Sequence, residues 1–380
     1  MKKQLFITVL ITLLVSVWYL SVRAAEPIRI GSIHPLSGRV AFAGVPCKKT
    51  LDMMADDLNK TGGINGRPIE IIHYDTEGKE DVTVRAFNRL ILKDNVTAII
   101  GPLESWTAMA VIPIIEKHQI PTIMDASGSM IVNPVRKWVF KTATSDELVV
   151  TKVLSYIKSK GIERIAIISS QDPYGEGGYK SILAQAPDYK IKLVFDERFG
   201  GDETDLTPLL NKIKKTDAQA VISWSTKRTP NVVAINYRQV GLDLPLYLGH
   251  AALGPDFLKG TEKHGEGVLT ASGKFVGAPG LPDSDPQKKV ILDYIAAYKK
   301  KYGEETNQFA AGAFDAFNIL VAAIKKAGDD KSKLRDAIEQ TRGYIGAYGI
   351  FNYSPHDHAG LSKESVVMYK VIGGEWKVIE

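Results

Sequence analysis

Short apolar stretches alternate with amphipathic stretches along nearly the whole chain, and this alternation limits the possible folds most. The first half predicts strands at 28–33, 68–74, 96–101 and 121–124, with helices between them. The second half repeats the pattern, with strands at 165–169, 191–195, 220–223 and 244–248 and helices at 174–186, 206–214 and 231–240. Short apolar strands that alternate with helices form parallel sheets covered on both faces. The sequence therefore predicts an α/β protein with two doubly wound, Rossmann-like lobes.

The order of the elements changes after Gly273. Two long helices are predicted at 286–302 and 309–327, followed by a short helix at 334–341 and tail strands at 348–353, 366–372 and 376–379. The chain has 380 residues, and because domains usually hold about 100–200 residues, its length also favours two lobes. The pattern alone leaves open to which lobe the tail returns.

Residues 1–25 have the features of a signal peptide. Two lysines precede an uncharged, largely apolar run at 5–20, and Ala24 and Ala25 offer a cleavage site. An uncleaved N-terminal anchor is the alternative, since the run has 16 residues and about 20 are needed to span a bilayer. Both interpretations place the rest of the chain outside the cytoplasm, and we expect a periplasmic protein.

Charge and motif content argue against several classes of protein. The formal net charge is +5, and three positive but no acidic residues lie in 1–25, so the remainder carries only +2 and has no basic bias toward nucleic acid. The chain has no phosphate-binding P-loop and no Gly-x-Ser-x-Gly nucleophile motif, and 175–178 lacks the spacing of a dinucleotide turn. The histidines at 356–358 suit a polar turn better than a metal site, and Cys47 suits a small helix residue. We therefore expect neither an enzyme nor a bound cofactor or metal.

Hydroxyl-rich loops follow two neighbouring strands of the first half. The loop 101–105 places Ser105 at the start of a helix, where free backbone N–H groups attract anions. The loop after the next strand contains Ala126, Ser127, Gly128 and Ser129. Ligands of doubly wound sheets bind beyond the carboxyl ends of the strands, so the two loops predict a carboxylate site. Serines that only cap helices are the alternative.

Several segments together resemble the periplasmic leucine/isoleucine/valine-binding proteins, which are type I solute-binding proteins of ABC importers. They include 59–70 (NKTGGINGRPIE), 99–105 (IIGPLES), 172–177 (DPYGEG) and 358–361 (HAGL), and they extend over nearly the whole mature chain. The resemblance implies two lobes that are joined by three crossovers and close on a ligand by a hinge motion. It places lobe 1 at 26–143 plus 274–350 and lobe 2 at 144–273 plus 351–380. It also implies a small carboxylate or amino acid and a membrane permease as partners, with a ligand-binding sensor module as the alternative.

Carried over by position, the resemblance also implies residue roles. It assigns Ser105 to the ligand carboxylate and the loop 126–129 to the carboxylate and ammonium groups. It assigns Tyr174 to an aromatic wall from the second lobe, and Phe42 to the first loop, which covers the ligand.

The chain departs from the family's amino-acid binders in the second lobe. Those proteins have an acid near His250 and a tyrosine near Thr226, and this chain has neither in register. A buried ammonium without a counter-charge is costly. We therefore expect an aromatic or aliphatic acid in a pocket that Trp106, Trp224, Thr226 and His250 help to form. A branched-chain or other amino acid, with Asp125 as the counter-charge, is the alternative.

Overall fold

The computed structural model describes residues 26–380, so the predicted signal peptide lies outside the described residues. The first sheet has five parallel strands in the order β2-β1-β3-β4-β5. They are β1 (Ile28–His34), β2 (Ile69–Asp75), β3 (Ala98–Ile100), β4 (Thr122–Met124) and β5 (Val139–Lys141). Strand β5 was not predicted; its apolar run, 138–140, has only three residues and lies between two lysines.

Three helices follow the first three strands of this sheet: α1 (Ala41–Lys60), α2 (Glu80–Leu92) and α3 (Ser105–His118). Neighbouring residues of β3 point to opposite faces, so Ile100 packs in the core with α1 and Ile99 packs in the core with α2 and α3. At the end of β3, Gly101 has a φ of +99°, a left-handed conformation that only glycine adopts readily. This turn leads the chain from the sheet toward α3 and places Ser105 at the helix start.

The second lobe begins with α4 (Asp146–Ser159) and continues as an alternating series of strands and helices. Its strands are β6 (Arg164–Ser170), β7 (Lys192–Phe199), β8 (Ala220–Trp224), β9 (Leu246–Leu248) and β10 (Leu269–Ser272). Its other helices are α5 (Pro173–Gln185), α6 (Thr207–Ile213), α7 (Thr229–Gln239) and α8 (Pro255–Thr261). Helices α4 and α5 cover one face of this sheet, and α6, α7 and α8 cover the other. Elements α4, α8 and β10 were not among the predictions.

The chain then returns to the first lobe through α9 (Pro286–Tyr302), α10 (Gln308–Ala327) and α11 (Lys331–Glu339), all of which pack in the first lobe's core. A short hairpin of β11 (Tyr344–Ile345) and β12 (Ile350–Phe351) follows. The buried carboxylate of Asp315 in α10 accepts the backbone N–H groups of Ala347 and Tyr348 at 2.8 and 2.7 Å. Helix α10 thereby fixes the loop of the hairpin.

Residues beyond the predicted boundary at 350/351 still pack with the first lobe. Phe351, Tyr353 and Leu361 belong to the core of the first lobe, and the Tyr353 hydroxyl donates to the Lys141 carbonyl of β5 at 2.9 Å. The chain joins the second sheet only at β13 (Val367–Ile372), which pairs antiparallel with β10 and with β14 (Glu375–Val378). We therefore propose that lobe 1 extends to about residue 361.

The complete second sheet has the order β14-β13-β10-β9-β8-β6-β7. Two mostly parallel sheets with helices on both faces confirm the predicted fold class. Within residues 26–380, no helix is both long enough and apolar enough to cross a lipid bilayer.

Candidate functional site

A cavity of about 710 Å³, counting its part open to solvent, lies where the strand ends of the two lobes face each other. The first lobe contributes residues that follow β1, β3 and β4, and the second lobe contributes residues that follow β6, β8 and β9. A third side comes from residues 286–361, which return to the first lobe after β10 and are called the returning segment below. The lining residues are Val40, Phe42, Ala43, Leu103, Glu104, Ser105, Trp106, Asp125, Ser127, Tyr174, Thr226, Lys227, His250, Ala251, Gln308, Phe309 and Tyr348.

The first lobe presents hydrogen-bond donors to this cavity at the start of α3. Ser105 is the first residue of this 14-residue helix, whose N-terminal N–H groups carry a partial positive charge. The Ser105 hydroxyl accepts the N–H of Gly128 at 3.0 Å, so its own hydrogen can point to a ligand. The helix end and the serine hydroxyls together suit a carboxylate.

Two acidic side chains of the first lobe also line the cavity. Burial raises the pKa of Glu104 to about 7, and the Thr107 hydroxyl donates to its Oε2 at 3.1 Å. Asp125 is buried; its Oδ2 lies 3.0 Å from His34 Nε2, and its Oδ1 has no hydrogen-bond partner among residues 26–380. The cleft therefore contains the acid that the amino-acid alternative requires, Asp125, and a second one, Glu104. Acidic groups come from the first lobe instead of the loop around His250.

A chain of hydrogen bonds holds Asp125 in place from behind. His34 Nδ1 lies 3.0 Å from the Ser32 hydroxyl, which lies 2.9 Å from His73 Nδ1. His73 Nε2 in turn contacts Asp52 Oδ1 at 2.8 Å, near the surface on α1. Because each side chain behind Asp125 in this series has a partner on both sides, the series fixes the position of the Asp125 side chain at the cavity wall.

Three aromatic rings form the wall that the second lobe contributes. Tyr174 stacks on Trp224 with ring centroids 6.0 Å apart, and His250 meets both rings edge-on at 5.3 and 5.8 Å. The Tyr174 hydroxyl accepts the N–H of Ala251 at 3.1 Å and lies 3.3 Å from His250 Nδ1. Burial lowers the pKa of His250 to about 3, so its imidazole is neutral at pH 7.

Charged side chains at the mouth of the cavity connect the two lobes. Asp202 of the second lobe forms an ion pair with Arg39 of the first lobe at 3.1 Å and lies 3.5 Å from Lys227 Nζ. The Lys227 ammonium also lies 5.1 Å from the centre of the Trp106 ring. The cavity thus has acidic groups on the first lobe and a cationic group on the second.

The structure brings most of the residues predicted for the site to the cavity. Seven of them line it: Phe42, Ser105, Trp106, Ser127, Tyr174, Thr226 and His250. The other four lie one layer behind. Ala126 is in the core, Gly128 donates to Ser105, Ser129 donates its N–H to Asp146 Oδ2, and Trp224 supports Tyr174. A ligand-binding role for all eleven stays a prediction.

The sequence-based selection of site residues missed several that line the cavity. Glu104 adjoins Ser105, but an acid at a helix start is also expected from the helix dipole alone. Lys227 follows Thr226 in a loop whose register the sequence leaves open. Gln308, Phe309 and Tyr348 come from the returning segment, which is distant in sequence from both lobes' binding loops.

One group of side chains has the composition of a metal site. The donor atoms of His34, Cys47 and Asp125 lie within 4.8 Å of one another, and all three residues are buried. Burial raises the pKa of the Cys47 thiol, however, and its Sγ donates to the Ala43 carbonyl at 3.2 Å. Metal coordination would require the thiolate, which this environment disfavours.

The sequence also contains two histidines at 356–358, which we expect to form a polar turn. In the structure His358 is buried between the Val139 carbonyl and Glu339.

The comparisons with known proteins agree with this architecture. The family model described as periplasmic binding protein matches residues 27–374. The leucine-, isoleucine-, valine-, threonine-, and alanine-binding protein of Pseudomonas aeruginosa is 24% identical, with 83% of each chain covered. An extracellular ligand-binding receptor of Rhodopseudomonas palustris HaA2 superposes with a TM-score of 0.87 at 24% identity, covering 93% of this chain and 99% of the other.

A further solved structure contains a different kind of ligand. It is a solute-binding protein of an ABC transporter from R. palustris in complex with benzoate, with a TM-score of 0.78 at 19% identity over 93% of this chain and 95% of the other. The family model covers nearly all of the described chain, and several curated relatives are named leucine/isoleucine/valine-binding proteins. The chain therefore belongs to the periplasmic binding protein family, in its leucine/isoleucine/valine-binding type I branch.

Proposed function

We propose that the protein is exported to the periplasm, captures a small α-amino acid between its lobes and delivers it to the membrane permease of an ABC importer. The observation that carries this proposal is the pairing of opposite polarities at one end of the cavity. The start of α3 and the Ser105 hydroxyl face the same space as the carboxyl groups of Glu104 and Asp125. An α-amino acid carries a carboxylate and an ammonium on neighbouring atoms, and this arrangement complements both.

The counter-charges reverse the order of the two ligand hypotheses that the sequence suggests. An ammonium group in the cleft would contact Asp125 Oδ1, which lacks a partner within residues 26–380, and would thereby satisfy a buried carboxylate oxygen. A ligand with only a carboxylate would face two acidic groups without compensation. The names of the relatives, which include binders of leucine, isoleucine and valine, support the same ligand class.

A simple aromatic acid is the second candidate, because aromatic side chains surround the cavity. Phe42, Trp106, Tyr174, Phe309 and Tyr348 all line it, and a relative with the same fold is in complex with benzoate. This ligand would bind while Glu104 is protonated, a state that its pKa of about 7 makes accessible near neutral pH.

A thermal-shift screen of residues 26–380 tests the proposed function. The protein is unfolded, dialysed and refolded first, so that no ligand from the cell remains in the cleft. A ligand at 100 times its Kd stabilises the native state by about 2.7 kcal/mol, which raises the Tm by a few degrees. We expect α-amino acids to give the largest shifts. Shifts with benzoates alone would favour the second candidate, and no shift with either class would contradict the proposal.

The pH dependence of affinity separates the two candidates. The Glu104 carboxyl is ionised only above its raised pKa of about 7, and an ammonium ligand requires the ionised form. We expect the Kd of an amino acid to rise by up to about tenfold per unit as pH falls below 7. Glu104→Gln should remove this dependence, as measured by calorimetric titration between pH 5.5 and 8.5. Binding that tightens as pH falls would indicate an acid without an ammonium.

A further inference from the structure

His250 has a polar atom that nothing in the described protein satisfies. It follows β9 and lines the cavity on the side of the second lobe, and it is buried. Its Nε2 has no hydrogen-bond partner among residues 26–380. Buried polar side-chain atoms nearly always have a partner, so an exception next to a ligand cavity points to the ligand as the partner.

The hydrogen bonds around Tyr174 determine which tautomer His250 adopts. The N–H of Ala251 donates to the Tyr174 hydroxyl oxygen at 3.1 Å, and His250 Nδ1 lies 3.3 Å from the same oxygen. His250 Nδ1 is the only acceptor within hydrogen-bond distance of the Tyr174 hydroxyl among residues 26–380, so we assign the hydroxyl hydrogen to that bond. A neutral imidazole that accepts at one nitrogen carries its hydrogen on the other. Burial lowers the pKa of His250 to about 3 and keeps the ring neutral, so Nε2 is an N–H donor.

We infer that the ligand carries an oxygen acceptor on its side chain and that this oxygen accepts the Nε2–H of His250. The inference rests on the proposed function, since it assumes that the α-carboxylate and α-ammonium groups bind at the first lobe. It narrows the ligand class to amino acids with a carboxamide or carboxylate side chain, and it disfavours purely aliphatic ones.

Two neighbouring groups of the second lobe point to the same chemistry. The Thr226 hydroxyl and the Lys227 ammonium line the cavity on the side of His250, and both can donate to oxygen. The second lobe thus presents hydrogen-bond donors to the cavity, whereas the first lobe contributes the acidic residues Glu104 and Asp125. An aliphatic side chain would leave the buried Nε2–H without an acceptor. This unsatisfied donor costs binding free energy, so the site should bind aliphatic amino acids more weakly.

The inference is tested by comparing how one substitution, His250→Phe, changes the affinity for two ligands, asparagine and leucine. Leucine and asparagine have side chains of similar shape and differ in whether the end bears an oxygen acceptor. We expect calorimetric titration of the wild-type protein to give a Kd at least about tenfold lower for asparagine than for leucine. His250→Phe, which keeps an aromatic ring and removes the donor, should weaken asparagine binding by at least about tenfold and leave leucine binding nearly unchanged.

Two further variants complete the design. His250→Gln places an amide N–H near the position of Nε2 and should recover part of the preference for asparagine. His118→Phe, at a half-buried position at the end of α3 and outside the cavity lining, should match the wild type for both ligands. Leucine binding as tight as or tighter than asparagine binding, or equal losses for both ligands in His250→Phe, would overturn the inference and leave the proposed function intact. If neither these two ligands nor any other amino acid bound, the proposed function itself would be overturned.

Discussion

Asp125→Asn is expected to weaken amino-acid binding by roughly 30-fold or more while the protein stays folded. Removing one partner of a buried, hydrogen-bonded charge pair costs roughly 2–5 kcal/mol of binding free energy. The proposed ammonium group would lose its charged partner at Oδ1, the oxygen without a contact within residues 26–380. The amide oxygen can still accept from His34 Nε2, so the hydrogen-bonded series behind it has no reason to collapse. Calorimetric titration with the best ligand of the screen measures the loss.

Asp293→Asn is the matched control for this substitution. Asp293 lies on the exposed side of α9 and pairs only with Lys289 four residues earlier, so its removal should leave the Kd unchanged. An Asp125→Asn protein that binds amino acids as tightly as the wild type would contradict the assignment of Asp125 to the ammonium group. A large loss of Tm in Asp125→Asn would show that the side chain serves the fold instead.

The largest effect on stability is expected from Asp315→Ala. The carboxylate of Asp315 accepts two backbone N–H groups, from Ala347 and Tyr348, and lies 3.3 Å from the hydroxyl of Tyr344. Alanine leaves these buried donors without an acceptor, at a cost of about 1–3 kcal/mol for each. We expect a loss of about 3–5 kcal/mol in the free energy of unfolding, measured by urea denaturation.

The same substitution should also weaken ligand binding, because Tyr348 lines the cavity and depends on Asp315 for its position. Asp315→Asn is expected to be intermediate, since its amide keeps one acceptor oxygen and turns a donor toward the other N–H group. Lys325→Ala, on the exposed face of the same helix, is the control and should change the free energy of unfolding by less than about 0.5 kcal/mol. Equal stability of Asp315→Ala and the control would contradict this role.

Periodicity revealed most of the longer elements of the fold, although it missed the 14-residue helix α4 and the short strands β5 and β10. Strands such as β1 and β6, with seven residues each, show an apolar run between turn residues. Strands β5 and β10, with three and four residues, were not predicted, and their places in the sheets are evident only from their pairing with neighbouring strands. The packing of Tyr353 against β5 has no signal in the sequence, because this contact joins segments about 200 residues apart.

Some of the candidate binding residues can be identified from the sequence, whereas the roles of others depend on tertiary contacts. Ser105 and Ser127 could be found from the sequence, because each follows a strand end and the carboxyl ends of parallel strands meet at one edge. The sequence identified Asp125 as a possible counter-charge but could not establish this role. The role depends on the contact of Oδ2 with His34 and on an Oδ1 without a partner within residues 26–380, and both result from tertiary packing. The donor role of His250 depends on Tyr174, 76 residues earlier, and no local pattern reports that contact.

By itself the sequence determined the α/β class, the two-lobed plan and the location of the cleft at the strand ends. These features follow from the periodicity of apolar residues and from the turn residues, which are local properties of the chain. The tertiary structure decided the charge of the cleft and the polarity of its two sides. Glu104, Asp125, Lys227 and His250 come from four different loops, and their burial and hydrogen bonds exist only after the two lobes face each other. Whether a buried group keeps its charge or its free donor depends on those neighbours, and therefore only on the folded protein.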